Sequence, residues 1–258
     1  MKPLYKWPGG KSREIPVVEK YLPERFKAYV EPFFGGGSVF FHLEPEVSFI
    51  NEINQEVTNF LHLIQEGRGQ EIYNALTHIS NDENTYYKIR AWQPEDRLEQ
   101  AVRFYYMRKT CFRGMMRYNS SGGFNVPYGN YKTYNFEELL NPEYQALLSR
   151  ATIMTKDYKE VFAHCDDKDD FCFLDPPYHN TFSNYTSDGF DDNDHKELAD
   201  FFKTSKMKCL MIIGKTILIE NLYRDYIVEE YGKKYSITRT TEKKKTVDDS
   251  FHLVVKNY

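Results

Sequence analysis

The sequence predicts an α/β chain: a Rossmann-like sheet whose course is interrupted by an inserted segment of helices and a β-hairpin. Three observations predict it. A strand-like run at residues 27–34 (KAYVEPFF) leads into the turn Gly35-Gly36-Gly37. A second apolar run, 171–174 (FCFL), leads into Asp175-Pro176-Pro177-Tyr178. Between the two, from about Asn54 to Arg108, apolar residues recur at the three- and four-residue spacing of a helix face.

The length of 258 residues suits one large α/β domain, or one domain carrying an insertion. The chain opens on a polar, basic stretch, Met1 to Lys11, without the apolar core of a secretory signal. No run approaches the roughly 18 apolar residues of a membrane span, so none is expected. Lys6-Trp7-Pro8-Gly9-Gly10-Lys11 is a glycine turn carrying an aromatic ring and two lysines.

After the first strand, the glycines of Phe33-Phe34-Gly35-Gly36-Gly37 remove side chains where a bulky ligand needs to approach the backbone. Ser38 to Leu43 has helical potential, and 47–51 (VSFIN) reads as a second strand. Glu52 lies just past it, 17 residues after Gly35. A β-turn-α-β unit with a glycine-rich first turn and an acid ending strand two follows the logic of an adenosine-binding sheet. Glu52 could take both hydroxyls of a ribose, although a solvated surface acid would look the same in sequence.

The helical segment shows Val57, Phe60, Leu61 and Ile64, and later Leu98, Val102, Tyr105 and Tyr106, at helix spacing. From Met116 to Lys132 the character changes. Asn119-Ser120-Ser121-Gly122-Gly123 is dense turn chemistry between Arg117-Tyr118 and Phe124-Asn125-Val126, which predicts a β-hairpin with an exposed tip. Strand character returns at 171–174 and at 208–213 (KCLMII), and the tail holds three β-rich runs, YIVEEY, YSITRT and FHLVV. The sheet is therefore expected from residues 1–54 and 151–258, and the insertion from 55–150.

A net charge of −4 taken alone disfavours an anionic partner, but charge is uneven along the chain. Residues 1–27 carry +4, 86–132 carry +6 and 233–245 carry +5, against −8 over 28–85 and −10 over 133–232. The local field decides whether an anion docks, so nucleic acid stays open as a partner. The four cysteines (Cys111, Cys165, Cys172, Cys209) show no paired spacing. They fit reduced thiols in a cytosol, and no metal site is expected.

Asp175-Pro176-Pro177-Tyr178 is the most specific signal. It sits at the carboxyl end of a strand, where open α/β sheets bind ligands. Two prolines fix φ and remove two N–H donors, so the rigid turn offers carbonyl acceptors beside a carboxylate. Such a pair suits an exocyclic amine with two N–H bonds, and Tyr178 supplies a flat face for a planar base. A proline turn that merely ends a strand is the plainer alternative.

Taken in order, KWPGGK (6–11), EPFFGGGS (31–38), NEIN (51–54), RYN…GGFNVPYGNYK (117–132) and DPPY (175–178) resemble the Dam-like family of DNA adenine-N6 methyltransferases, in the motif order of its α group. KKKTVDD (243–249) is similar to the family's C-terminal segment, so the likeness covers nearly the whole chain. It implies a methyltransferase sheet dependent on S-adenosylmethionine, leaving S-adenosylhomocysteine as product. By family position, Trp7, Lys11, Phe33, Gly35, Gly37, Ser38, Glu52, Asp157, Tyr158 and Asp175 would line the donor pocket. Glu52 stands where the family commonly has Asp.

The resemblance also implies a substrate, double-stranded DNA with one adenine flipped out of the stack. Asp175, Pro176, Pro177 and Tyr178 would be the catalytic turn. Lys6, Phe112, Arg113, Met115, Arg117, Asn119, Pro127 and Tyr185 would meet DNA from the insertion and its neighbours. Arg117 matches an arginine used against guanine, and Phe112 an aromatic wedge. The RYN and FNVP matches favour GATC as target. Arg113 and Met116 depart from several relatives, and the hairpin tip is less charged. Monomeric action in the cytoplasm, at the nucleoid, is the family expectation, with a cognate restriction endonuclease as a partner in restriction-modification pairs. Cytosine-N4 or RNA adenine methylation, and a catalytically silent DNA-binding protein, remain alternatives at this stage.

Overall fold

The structure, a computed structural model, describes residues 1–119, 122–179, 190–234 and 249–258. Its centre is a seven-stranded sheet: β1 (Tyr29–Glu31), β2 (Ser48–Asn51), β3 (Ala151–Met154), β4 (Phe171–Leu174), β5 (Lys208–Gly214), β6 (Ile227–Lys234) and β7 (Asp249–Lys256). The order is β3-β2-β1-β4-β5-β7-β6. The first five strands run parallel, with Val30 facing Phe49 on one side and Cys172 on the other. β7 runs antiparallel to β5, placing Val254 opposite Ile212, and β6 returns antiparallel along β7.

Central strands read as continuous apolar runs because both of their faces are covered. Tyr29, Phe171, Phe173, Leu210, Ile212 and Val254 point into one core, and Val30, Cys172, Leu174, Met211, Ile213 and Val255 into the other. Successive side chains leave opposite faces of a strand, so the alternation divides the two cores without breaking either.

The helices are α1 (Ile15–Lys20), α2 (Ser38–Leu43), α3 (Gln55–Gln65), α4 (Gly69–Thr77), α5 (Glu83–Ala91), α6 (Arg97–Thr110), α7 (Pro142–Leu148), α8 (Tyr158–His164), α9 (Asp192–Thr204) and α10 (Ile217–Tyr223). Side chains cap many of them, for example Asn54 on α3, Asp96 on α6 and Asp191 on α9. Such caps satisfy N–H groups the first turn leaves open. Helices α3 to α7 fall between β2 and β3. They are not a detached body: Phe60, Phe104 and Tyr105 belong to the same core as Tyr29 and Phe171.

The expected hairpin at 116–132 takes a different form. Among the described residues its pairing is reduced to two bridges, Tyr118 with Phe124 and Cys111 with Tyr128. Hydrogen bonds from Asn125 N to Arg117 O (3.0 Å), Phe112 N to Pro127 O (2.8 Å) and Gly129 N to Thr110 O (2.8 Å) carry the rest. The longer run on the 111–118 side bulges outward through a short turn at Phe112–Gly114. Of the three tail runs, YSITRT (235–240) lies outside the described residues, and the other two form β6 and β7.

Candidate active site

Strand order reverses between β1 and β4, so the chain leaves their carboxyl ends in opposite directions and opens a crevice there. Two sequence motifs enter it. The glycine turn follows β1, and Asp175 to Tyr178 follows β4. A third segment, residues 5–11, crosses over both. Tyr5 donates its hydroxyl to Gly35 O (2.7 Å). Trp7 packs on the bare backbone of Gly35 and Gly36: a Cβ added at Gly35 would lie 2.6 Å from Trp7 Nε1. Gly35 and Gly37 hold φ of +52° and +64°, a left-handed conformation that costs other residues energy. Lys11, only 3% exposed, donates to Gly9 O (3.2 Å) and pairs with Asp175 Oδ1. The family resemblance places Lys11 in the donor pocket; the structure ties it to Asp175.

Burial raises the Asp175 carboxyl above its ordinary range, and the Lys11 ammonium beside it pulls it back. Glu31, at the end of β1, is buried, and burial lifts it well above the usual carboxylate range. Glu52 is held by two backbone N–H groups, Gly35 N (2.9 Å) and Asn54 N (3.0 Å). Its burial raises the carboxyl, and those donors oppose the rise. Asn51 locks this edge, donating to Pro32 O and Lys156 O (both 3.0 Å) and accepting from Lys156 N (2.9 Å).

Phe33 lies 5.3 Å from the Tyr158 ring, and Phe190 stands 5.9 and 5.8 Å from the two. The three rings form an apolar wall beside Glu52's strand end. Asp157 spends its carboxylate on capping α8, accepting from Lys159 N (2.9 Å), and is exposed. Ser38 starts α2 and accepts from Ser12 Oγ (3.1 Å). The Tyr178 ring is met by Lys11 Nζ at 4.9 Å, by the His252 ring edge at 5.2 Å and by Gly214 beneath it.

A second group of residues flanks the crevice on the bulge of the insertion. Phe112, Arg113, Met115, Arg117, Asn119 and Pro127 are all exposed, while Gly114 and Met116 point inward. Phe112 is therefore not a core residue. Arg113 holds φ of +55° and lays its guanidinium 5.2 Å from the Phe112 ring. Arg117 donates to Asn125 Oδ1 (2.7 Å) and Asn125 O (3.0 Å). Lys6 is exposed, 4.3 Å over the Tyr131 ring, with its stem against Gly114. Arg108, 1% exposed, pins this bulge to the N-terminal turn by donating to Lys6 O (3.3 Å), Met115 O (2.8 Å) and Gly114 O. Tyr185 lies outside the described residues.

Sequence reading missed Tyr5, Glu14, Glu31, Asn51, Arg108, Phe190 and His252. Most hold other site residues through bonds across long sequence separations, which no local pattern announces. Among the described residues no cluster of metal-ligating side chains occurs, and no helix is long and apolar enough to cross a membrane.

Comparison with known proteins bears on what this crevice does. A family profile described as D12 class N6 adenine-specific DNA methyltransferase matches residues 7–237. The chain is 45% identical to the type II methyltransferase M.CviBI of Paramecium bursaria Chlorella virus NC1A, over the whole of both chains. It is 31% identical to the type II methyltransferase M1.LlaDCHI of Lactococcus lactis subsp. cremoris, over its whole length and 96% of that protein. It is 32% identical to a DNA adenine methylase of Vibrio cholerae, over 95% of this chain and 92% of that one.

Proposed function

The chain belongs to the D12 class N6 adenine-specific DNA methyltransferase family, and from that premise we propose that it moves a methyl group from S-adenosylmethionine to N6 of an adenine flipped out of duplex DNA, with GATC as the target. The observation that carries the reading is the contact of one segment with both motifs. Trp7 closes on the glycine turn, and Lys11, in the same N-terminal turn, holds Asp175.

The residues present fit such a donor. The bare Gly35 and Gly36 backbone lets Trp7 lie directly on the glycine turn, where any Cβ would collide with it, and so sets the indole as one side of the donor pocket. Glu52, oriented by two N–H groups, presents a carboxylate to ribose hydroxyls. Phe33, Tyr158 and Phe190 give a flat base an apolar wall. When bound, the donor supplies a methyl group on a positively charged sulfur.

The protein's own task is then to make N6 a nucleophile. Its lone pair is delocalised into the ring, so planar adenine attacks poorly. Asp175 and the Pro176 carbonyl accept the two N6 hydrogens and draw the amine toward tetrahedral geometry. They also stabilise the positive charge that develops on N6. Lys11 occupies Oδ1, so the amine is received at the other carboxylate oxygen. The raised affinity of Asp175 for protons suits it to take the proton N6 sheds after attack. Tyr178 stacks on the extruded ring.

Residues 55–150 serve as the recognition segment. Arg117 reads a guanine, Phe112 fills the gap left in the stack, and Arg113, Met115, Asn119, Pro127 and Lys6 line the same DNA face; Tyr185, which the family resemblance adds to them, lies outside the described residues. The enzyme acts as a monomer in the cytoplasm on nucleoid DNA, and the type II names of two relatives are what support a restriction endonuclease as its partner.

Treatment of a genome lacking adenine methylation with enzyme and isotopically labelled donor, followed by nucleoside mass analysis and site mapping, tests the reading. Labelled N6-methyladenine confined to GATC is expected. N4-methylcytosine would overturn the reaction, and adenine methylated at another motif would overturn the target alone.

A further inference from the structure

Behind the catalytic turn lies a buried cluster that the reaction as proposed does not use. Glu14 follows Lys11 by one tight turn, its N–H donating to Lys11 O (2.8 Å). Its carboxylate is 4% exposed and reaches across to the β6–β7 hairpin. Oε1 accepts from Tyr231 Oη (2.5 Å) and pairs with His252 Nδ1 (2.8 Å), and Oε2 accepts from Lys233 Nζ (2.7 Å). His252 is 1% exposed, and its ring centroid lies 5.2 Å from that of Tyr178, the two planes nearly perpendicular, and 5.7 Å from that of Tyr231.

We propose that Glu14 is a positioning residue for the catalytic turn, holding His252 behind Tyr178 and steadying Lys11 beside Asp175. The proposal rests on the methyl-transfer reading above for what the turn does, and on geometry alone for the link. The cluster is a chain of contacts: Asp175 pairs with Lys11, Lys11 O accepts the Glu14 N–H, and the Glu14 carboxylate meets Lys233 and His252. The Glu14 carboxylate is held between the Lys233 ammonium and the His252 ring, so it cannot swing without leaving a buried charge unpaired, which is costly. His252 is constrained by the same carboxylate. A carboxylate facing Nδ1 keeps the proton there and fixes the ring plane. That plane sets the surface against which Tyr178 rests. Gly214 backs the Tyr178 ring so closely that a Cβ there would come within 3.1 Å. Tyr178 is thus clamped by Lys11, His252 and Gly214, and Glu14 orders two of the three. Lys11 lies 164 positions before its partner Asp175 and Glu14 lies 238 before its partner His252, so the two ends of the chain meet beside the catalytic turn.

Glu14→Gln keeps the shape and removes the charge. Methyl transfer in a single turnover should slow by roughly ten- to a hundredfold, the usual scale for supporting residues behind a site. Dissociation constants for donor and for DNA should stay within about twofold. Glu14→Asp, one methylene shorter but still charged, should recover part of the rate. If Glu14→Gln fails to fold, Tyr231→Phe removes a single bond to Oε1, and a loss of roughly threefold or more in the same rate is expected.

Nuclear magnetic resonance of the wild-type and variant chains, with labelled histidine and tyrosine, reads the link without any turnover. The His252 ring should be protonated at Nδ1 in the wild type, and both the His252 and Tyr178 ring signals should move in Glu14→Gln. Unmoved Tyr178 signals, or a variant rate equal to wild type, would overturn the proposal. Failure of the wild-type chain to methylate adenine would instead overturn the reading of the reaction, leaving the ring signals to decide the link.

Discussion

Replacing Gly35 by alanine should weaken donor binding by at least about tenfold while costing only modest stability. Two effects add. The residue holds φ of +52°, and an L side chain in that region costs about 1–2 kcal/mol. The new Cβ would also stand 2.6 Å from Trp7 Nε1 and 2.8 Å from Cδ1, where ordinary contact begins near 3.4 Å, so the indole must retreat. Displacing a positioned group by about 1 Å is enough to cost on the order of a hundredfold where geometry matters. The chain has two tryptophans, so Trp7 fluorescence in a Trp92→Phe background reports donor binding directly. Gly122→Ala is the control, because Gly122 has φ of +76° with nothing within 4 Å of an added Cβ. It should carry a similar strain, about 2–4 °C in Tm per kcal/mol, with donor affinity unchanged. Equal affinities for wild type and Gly35→Ala would refute the account of the glycine turn.

Three further outcomes are expected. In Lys11→Met, Asp175 loses the cation that opposes its burial, so its carboxyl rises further and the acidic limb of the pH–rate profile moves to higher pH; an unmoved limb would detach Lys11 from Asp175. Arg117→Ala should relax base choice at one position of the target by about 1–3 kcal/mol in competition assays, whereas equal losses on every sequence would assign Arg117 to phosphate. Burial alone would raise Glu14, but the His252 bond, the nearby Lys11 and the Lys233 and Tyr231 bonds bring it from 4.5 down to about 2. Its stabilisation is therefore complete above pH 4.5 and lost as pH falls toward 2, up to about 3 kcal/mol by linkage, in acid unfolding curves that Glu14→Gln should flatten.

Much of the sheet was legible because its central strands are buried on both faces. KAYVEPFF contains β1, VSFIN contains β2, FCFL is β4 and KCLMII falls within β5. The helix Ser38–Leu43 came out as read. β3, Ala151–Met154, was not read: it is a short edge strand with Thr152 exposed, and its four residues carry little apolar pattern. Helices α8 to α10 were also missed, although Asp157, Asp191 and Thr216 cap them and could have marked their starts. The hairpin at 116–132 looked regular because its tip has strong turn residues. Asn119 Oδ1 does close that tip on Gly123 N (2.8 Å), but Arg108 draws 114–115 inward and turns the rest into a bulge. The Gly35–Gly37 and Asp175–Tyr178 turns could be located from local sequence because each directly follows an apolar strand. Glu14 and His252 could not, since their pairing depends on where the C-terminal hairpin lands on the N-terminal turn.

The charge blocks also gain a physical setting. Lys6 and Arg113 sit together on the exposed side of the bulge, while Lys11 and Lys233 are spent on the carboxylates of Asp175 and Glu14. A basic segment in sequence is therefore not uniformly a surface for phosphate.

The central claim is that Asp175 makes adenine N6 reactive. Single-turnover transfer of labelled methyl groups to DNA by Asp175→Ala, measured beside donor affinity, tests it most directly. The account predicts that donor and DNA still bind while the rate falls by at least about a hundredfold, as for loss of one stabilising group at a developing charge. Transfer within a few-fold of the wild-type rate, with the same methylated adenine as product, would contradict it.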